Sequence, residues 1–155
     1  MRYGSLCSGI ESATVAVAPL GWQAQWYSEI DPFCCAVLRH HYPTVPNLGD
    51  FTRIGKEVPC GAVDLVIAGT PCQSFSVAGK RLGLDDPRGN LTLEFLALAR
   101  RLRVPWLAWE NVPGFLSHDD GRTMGTFLRL LGELGYGWAY RVLDVQYVRV
   151  DGHER

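Results

Sequence analysis

The sequence predicts an α/β fold: a mostly parallel sheet with helices on both faces. Three observations carry that prediction. Short apolar runs, such as residues 63–68 and 105–109, alternate along the chain with amphipathic stretches of helical period. The runs lack the in–out alternation of a half-exposed strand, which is the pattern of strands covered on both faces. Several of them stop at glycine, proline or an acidic residue, and so place polar groups at strand ends, where open α/β sheets hold their ligands.

At 155 residues the chain is long enough for one domain with a real core. No apolar run approaches a membrane span, and no apolar segment follows Arg2, so a cytoplasmic location without a membrane partner is expected. Five cysteines without a C-x-x-C pair argue against a disulfide framework or a zinc knuckle. Cys34, Cys35, His40 and His41 do not have the spacing of a tetrahedral site, so no metal is expected. A net charge of −1 means that any nucleic-acid footprint is local or belongs to another part.

Residues 3–8 read as the first strand, closed by Gly9, and residues 10–18 as a helix stopped by Pro19 and Gly21. Strand, glycine turn and helix open many nucleotide-type sites, because glycine admits a close ligand and the helix start offers free N–H groups. Residues 23–28 form the second strand and end in Glu29-Ile30-Asp31. Asp31 and Pro32 make an N-cap and first-turn pair for a helix over residues 33–41. Glu29 stands twenty residues after Gly9, the separation at which an acid grips a ribose hydroxyl. Residues 45–48 lead to a third strand end at Gly49-Asp50-Phe51, where Asp50 suits either an adenine amino group or a local cap.

The run 63–68 then delivers Gly69-Thr70-Pro71-Cys72-Gln73. A cysteine at a strand end, ahead of a long stretch without helix or strand period, suits a nucleophile beneath a lid. It equally suits a buried structural thiol, and this stretch supports either reading. Residues 92–102 form a helix, and the strand 105–109 ends in Glu110-Asn111-Val112-Pro113-Gly114. Glu110 repeats the logic of Cys72, and its neighbours Trp109 and Val112 are expected to desolvate it partly. A last helix over 122–134 stops at Gly135, and a final strand is expected over 138–148.

These motifs, in this order, resemble the DNA cytosine carbon-5 methyltransferases over residues 3–148. The carrying stretches are Leu6-Cys7-Ser8-Gly9-Ile10, Glu29-Ile30-Asp31, Gly49-Asp50, Gly69 through Ser76, Arg88 through Leu91, and Glu110 through Gly114. The resemblance implies a Rossmann-like methyltransferase fold with S-adenosylmethionine as cofactor and cytosine in duplex DNA as substrate. It makes Cys72 the nucleophile that adds to carbon 6 and Glu110 the acid at ring nitrogen 3. Cys7, Gly9, Ile10, Glu29, Ile30, Asp50, Phe51, Pro71 and Leu91 would bind the cofactor, and Gln73, Ser76, Lys80, Arg81 and Arg88 would face DNA. Some relatives methylate transfer RNA instead, and near-neutral charge does not separate the two substrates. Restriction–modification is a setting that the resemblance implies.

Three departures stand out. Cys7 replaces the usual phenylalanine. Glu11 and Ser12 replace further glycines. The family's arginine-rich motif, target-recognition region and closing helix do not follow Arg155. The resemblance therefore implies a partial catalytic domain over 1–155, with an exposed apolar sheet edge and a complementing C-terminal half as partner; an inactive remnant is the alternative.

Overall fold

A computed structural model describes residues 1–71 and 91–144. Four strands, β1 (Arg2–Leu6), β2 (Gln23–Ser28), β3 (Leu65–Ala68) and β4 (Trp106–Trp109), form one sheet in the order β2-β1-β3-β4, and every pairing is parallel. The chain runs outward from β1 to β2, then returns to the other side of β1 for β3. The order therefore reverses between β1 and β3, the topological switch point where such sheets open a crevice.

The helices follow local signals. Helix α1 (Ser12–Val17) is shorter than expected, because Glu11 adopts a left-handed backbone with φ 67° and the helix starts only after it. A 3-10 turn over Ala18–Leu20 completes the segment, and Gly21 ends it at φ 68°. Helix α2 (Pro32–His41) begins as the sequence predicts: Asp31 Oδ1 accepts the Cys34 N–H at 2.9 Å and Pro32 occupies the first turn. Helix α3 (Leu91–Leu102) buries Leu93, Phe95, Leu96, Leu98, Ala99 and Leu102. Helices α4 (Gly114–Ser117) and α5 (Arg122–Glu133) flank a 3-10 turn over His118–Gly121. Gly135, at φ 86°, ends α5: its N–H reaches Gly132 O while the Tyr136 N–H reaches Leu131 O, a Schellman closure.

Two expectations about strands are corrected. Residues 45–48 make only an isolated parallel bridge, Tyr27 to Asn47, because Pro43 and Pro46 remove ladder donors on either side. Residues 138–144 form no strand, and residues 145–148 lie outside the described residues. Among the described residues β4 is the sheet edge. A groove of about 1280 Å³ runs between it and residues 136–144, walled by Trp106, Trp109, Phe127, Tyr136, Trp138 and Tyr140. No described helix is long and apolar enough to cross a membrane.

The core is continuous from Leu6, Val66 and Ala68 on the sheet to Leu93, Leu96 and Leu102 on α3 and to Phe115, Phe127 and Leu130 beyond β4. One close approach inside the sheet is set by glycine. A Cβ on Gly4 would lie 2.1 Å from the Trp26 ring, so β1 and β2 can pair only if Gly4 has no side chain. Gly4→Ala is expected to destabilise the chain by about 1–3 kcal/mol through overpacking, read as a lowered Tm in thermal denaturation; an unchanged Tm would contradict this packing.

Candidate active site

The register of the sheet lines up Ser28, Leu6, Ala68 and Trp109 in one row, because Leu6 pairs with both Ser28 and Ala68, and Ala68 pairs with Trp109. The residues that follow in sequence are Glu29, Cys7, Gly69 and Glu110. Four parallel strands thus end level, and the rim beyond them gathers most of the site residues that the sequence predicts.

Glu29 ties this rim together. Its Oε2 accepts the Gly9 N–H at 2.7 Å, and its Oε1 accepts the N–H groups of Ile30 and Asp31 at 2.7 and 2.8 Å. Asn47 holds the same segment by taking the Glu29 N–H on Oδ1 and donating to Glu29 O. Cys35 Sγ also donates to Glu29 O at 3.2 Å. The Ser28 hydroxyl donates to Gly49 O, and Asp50 Oδ1 caps the turn over Phe51–Arg53 by accepting from Thr52 N and Oγ1. Carboxylates held by several backbone donors keep their orientation without a ligand.

A cavity of about 330 Å³ opens at this rim, lined by Cys7, Ser28, Glu29, Ile30, Gly49, Asp50, Phe51, Gly69, Pro71 and Leu91. That volume is in the range of small-molecule sites. Of the predicted cofactor residues, Cys7, Glu29, Ile30, Asp50, Phe51, Pro71 and Leu91 line it. Gly9 does not, although its N–H anchors Glu29, and Ile10, 59 % exposed, does not line it either. Ser28 and Gly69 line the cavity without having been expected there; their places as the last residue of β2 and the first after β3 were the available signal.

The cavity is electrostatically one-sided. Among the described residues none of its lining is cationic, and two are carboxylates. The Cys7 thiol is pushed up to about 11, first by burial and then by Glu29 and Asp50. Burial penalises charge of either sign, and the Glu29 and Asp50 carboxylates add a bias against anions. S-adenosylmethionine, with its sulfonium and ammonium groups and its ribose and adenine donors, fits this acceptor set.

Glu110 stands on the same rim beyond β3. Its N–H donates to Ala68 O at 2.9 Å, and its Oε2 lies 3.3 Å from where a Cβ on Gly69 would be. The carboxyl thus sits close against the backbone that leads into Pro71, and a side chain at 69 would push it back by a few tenths of an ångström. Two further bonds fix Thr70: the Trp109 indole N–H donates to its side-chain Oγ1 at 2.8 Å and Asn111 Nδ2 donates to its backbone O at 3.0 Å. The expectation that Trp109 and Val112 desolvate Glu110 is corrected. Glu110 is exposed, as is Val112, because strand alternation turns the Trp109 ring into a cluster with Phe115 and Phe127. Cys72, Gln73, Ser76, Lys80, Arg81 and Arg88 lie outside the described residues.

A family model for C-5 cytosine-specific DNA methylases matches residues 1–151. The chain is 49 % identical over 144 residues to a protein of Escherichia phage P1 named DNA N-6-adenine-methyltransferase, covering 84 % of this chain and 19 % of that one. It is 37 % identical over 150 residues to the Type II methyltransferase M2.BsuMI of Bacillus subtilis, covering 94 % of this chain and 38 % of that one. Among solved structures, a Spodoptera frugiperda DNMT2 mutant superimposes with a TM-score of 0.65 at 26 % identity, covering 86 % of this chain and 41 % of that one. The chain spans less than half the length of each.

The raised Cys7 value gives a pH signature. At pH 8 the Cys7 thiol is neutral, so it should resist iodoacetamide while exposed Cys60 is alkylated. Alkylation of Cys7 should rise only as the pH nears 11, as followed by peptide mass spectrometry. Equal rates at pH 8 would show that the cavity does not disfavour the thiolate.

Proposed function

The chain belongs to the C-5 cytosine-specific DNA methylase family, and from that premise we propose that it carries the catalytic half of a reaction that methylates carbon 5 of cytosine in duplex DNA. The observation that supports this reading most directly is the level row of strand ends. It holds a cofactor-sized, anion-lined cavity on one side of Gly69 and the Glu110 carboxyl on the other.

Carbon 5 of cytosine is a weak nucleophile. In this reading the Cys72 thiolate adds to carbon 6, so the C5–C6 double bond opens and electron density moves to carbon 5 and toward ring nitrogen 3. Glu110 hydrogen-bonds that nitrogen and offsets the developing negative charge, a contribution typically worth about 10²–10⁴-fold. When bound, S-adenosylmethionine supplies an electrophilic methyl group on its sulfonium sulfur. Loss of the carbon-5 proton to a base then expels the thiol and restores the aromatic ring. Glu29 would accept from the ribose hydroxyls and Asp50 from the adenine amino group, with Ile30, Phe51 and Leu91 as apolar walls.

A cytosine stacked in a duplex cannot reach a strand-end rim, so the target base must be flipped out. Gln73, Ser76, Lys80, Arg81 and Arg88 would contact the base and phosphates, which suits their side-chain chemistry. Recognition of a target sequence would fall to the further length that the relatives possess.

The printed name of the phage P1 relative raises a second chemistry, methylation of adenine at its amino nitrogen. That nitrogen attacks directly and has no need of a thiol, so the Pro-Cys-Gln stretch and Glu110 favour cytosine. The test separates the two. With S-adenosylmethionine, a complementing half and duplex DNA carrying 5-fluorocytosine, the wild-type chain should form a denaturant-resistant adduct, because fluorine cannot leave as a proton does. Cys72→Ser should form none, and Glu110→Gln should slow adduct formation by about 10²–10⁴-fold. An adduct with Cys72→Ser, or methyl transfer to adenine that survives that change, would overturn the assignment.

A further inference from the structure

Glu11 is a buried acid that the proposed reaction does not use. Its side chain is wholly inaccessible, at 0 % exposure. Oε1 accepts the Thr14 N–H at 3.2 Å and the Thr14 hydroxyl at 3.0 Å, capping α1, while Oε2 is buried with no hydrogen-bond partner. The Thr14 oxygen is also 2.5 Å from the Tyr3 hydroxyl and 2.9 Å from the Tyr27 hydroxyl. Thr14 has one hydroxyl proton to give, so with that proton on Glu11 both phenols donate to Thr14. The titratable groups around Glu11 are therefore Tyr3 from β1 and Tyr27 from β2, with Tyr42 edge-on behind Tyr27. None of them is cationic. Burial raises the Glu11 carboxyl above its usual range, and the Thr14 hydrogen bonds with the nearby Ser5 and Ser8 hydroxyls only partly offset this.

The backbone of Glu11 is part of the cofactor loop. Its N–H closes a turn onto Ser8 O at 2.9 Å, and Cys7, Gly9 and Glu11 all take left-handed φ values of 51°, 56° and 67°. Two of the three carry side chains, and such a conformation persists only where the surroundings over-determine it. From this turn Cys7 reaches the cavity wall and the Gly9 N–H reaches Glu29.

We propose that Glu11 is a positioning residue that locks the Cys7–Gly9 loop against α1 as an uncharged carboxylic acid, so that cofactor binding weakens as that acid ionises. The claim rests on the reading of the adjacent cavity as the S-adenosylmethionine site. Oε2 carries the proton, because an ionised oxygen that solvent does not reach would be far more costly to bury than a neutral one. Ionisation would draw water or a donor toward Oε2 and pull the turn away from Glu29.

The sign of the stability effect follows from the raised position of the group. Between its ordinary range and its native value the unfolded chain has released the proton and the native chain has not, so native stability falls as pH rises. Glu11→Gln keeps the cap and the shape and cannot ionise. The Tm advantage of Glu11→Gln over wild type should therefore widen from pH 5 to pH 8; a constant difference would overturn the neutral-acid assignment. In calorimetric titration with S-adenosylmethionine, wild-type affinity should fall relative to Glu11→Gln, approaching tenfold per pH unit above the point where Glu11 ionises. The cofactor's own titration cancels in that comparison. Parallel pH profiles would overturn the positioning role. Absence of binding by both proteins would instead defeat the cofactor reading of the cavity, while the Tm comparison still decides the state of Glu11.

Discussion

The level ending of four parallel strands is the constraint on which the rest of the molecule depends. Pairing of Leu6 with Ser28 on one side and Ala68 on the other, and of Ala68 with Trp109, fixes where the chain leaves the sheet at four points. A slip of one residue in any strand would turn its final side chain to the opposite face and move its exit by about 3.3 Å. Glu29, Cys7, Gly69 and Glu110 would then no longer share a rim. The buried core beneath, from Val66 through Leu96 to Phe127, resists such a slip because each apolar side chain would lose its place at once. Gly4 adds a local lock, since Trp26 fills the space that a side chain there would take.

On that rim the electrostatics divide the work. The strand-end cavity holds two carboxylates whose backbone partners are already in place, and the Cys7 thiol among its described lining residues stays neutral at ordinary pH. A neutral thiol there serves as an apolar wall and does not compete as a nucleophile. It stands where the related enzymes have phenylalanine, and a buried, protonated cysteine is a small hydrophobe that can take that place.

Much of this was legible in the sequence, and the reasons differ by element. Asp31-Pro32 announced α2, and Gly135 announced the end of α5, because caps are local and need no tertiary partner. The strands at 65–68 and 106–109 were visible as short apolar runs closed by glycine or proline. The cavity residues were legible because strand ends collect ligands and because Glu29 sits at the ribose separation from Gly9. What failed was what depends on neighbours. Residues 45–48 lack a ladder, since prolines interrupt their donors. Residues 138–144 have the composition of a strand without a pairing in the described structure. Glu110 was expected to be shielded by Trp109, but strand alternation sends that ring into the core. Glu11 was legible only as a departure from a glycine; its burial needed coordinates.

The same alternation explains why Trp109 matters to Glu110 without shielding it. Its ring packs at 4.9 Å from Phe115 and 4.3 Å from Phe127, while its indole N–H crosses to Thr70. A side chain anchored in the core at one end and bonded to a neighbouring loop at the other converts packing into position. Asn111 repeats the tie from the other side of Glu110, through Thr70 O. The acid therefore sits between two residues that both hold Thr70, Trp109 through its hydroxyl and Asn111 through its carbonyl, two positions before Cys72 in the chain. Any shift of β4 relative to β3 would strain both bonds, so the distance from the Glu110 backbone to the Thr70 backbone is held by side chains that take no part in the chemistry. Preorganisation of this kind is what electrostatic catalysis requires of its supporting residues, because a donor that must be reoriented during the reaction forfeits much of its effect.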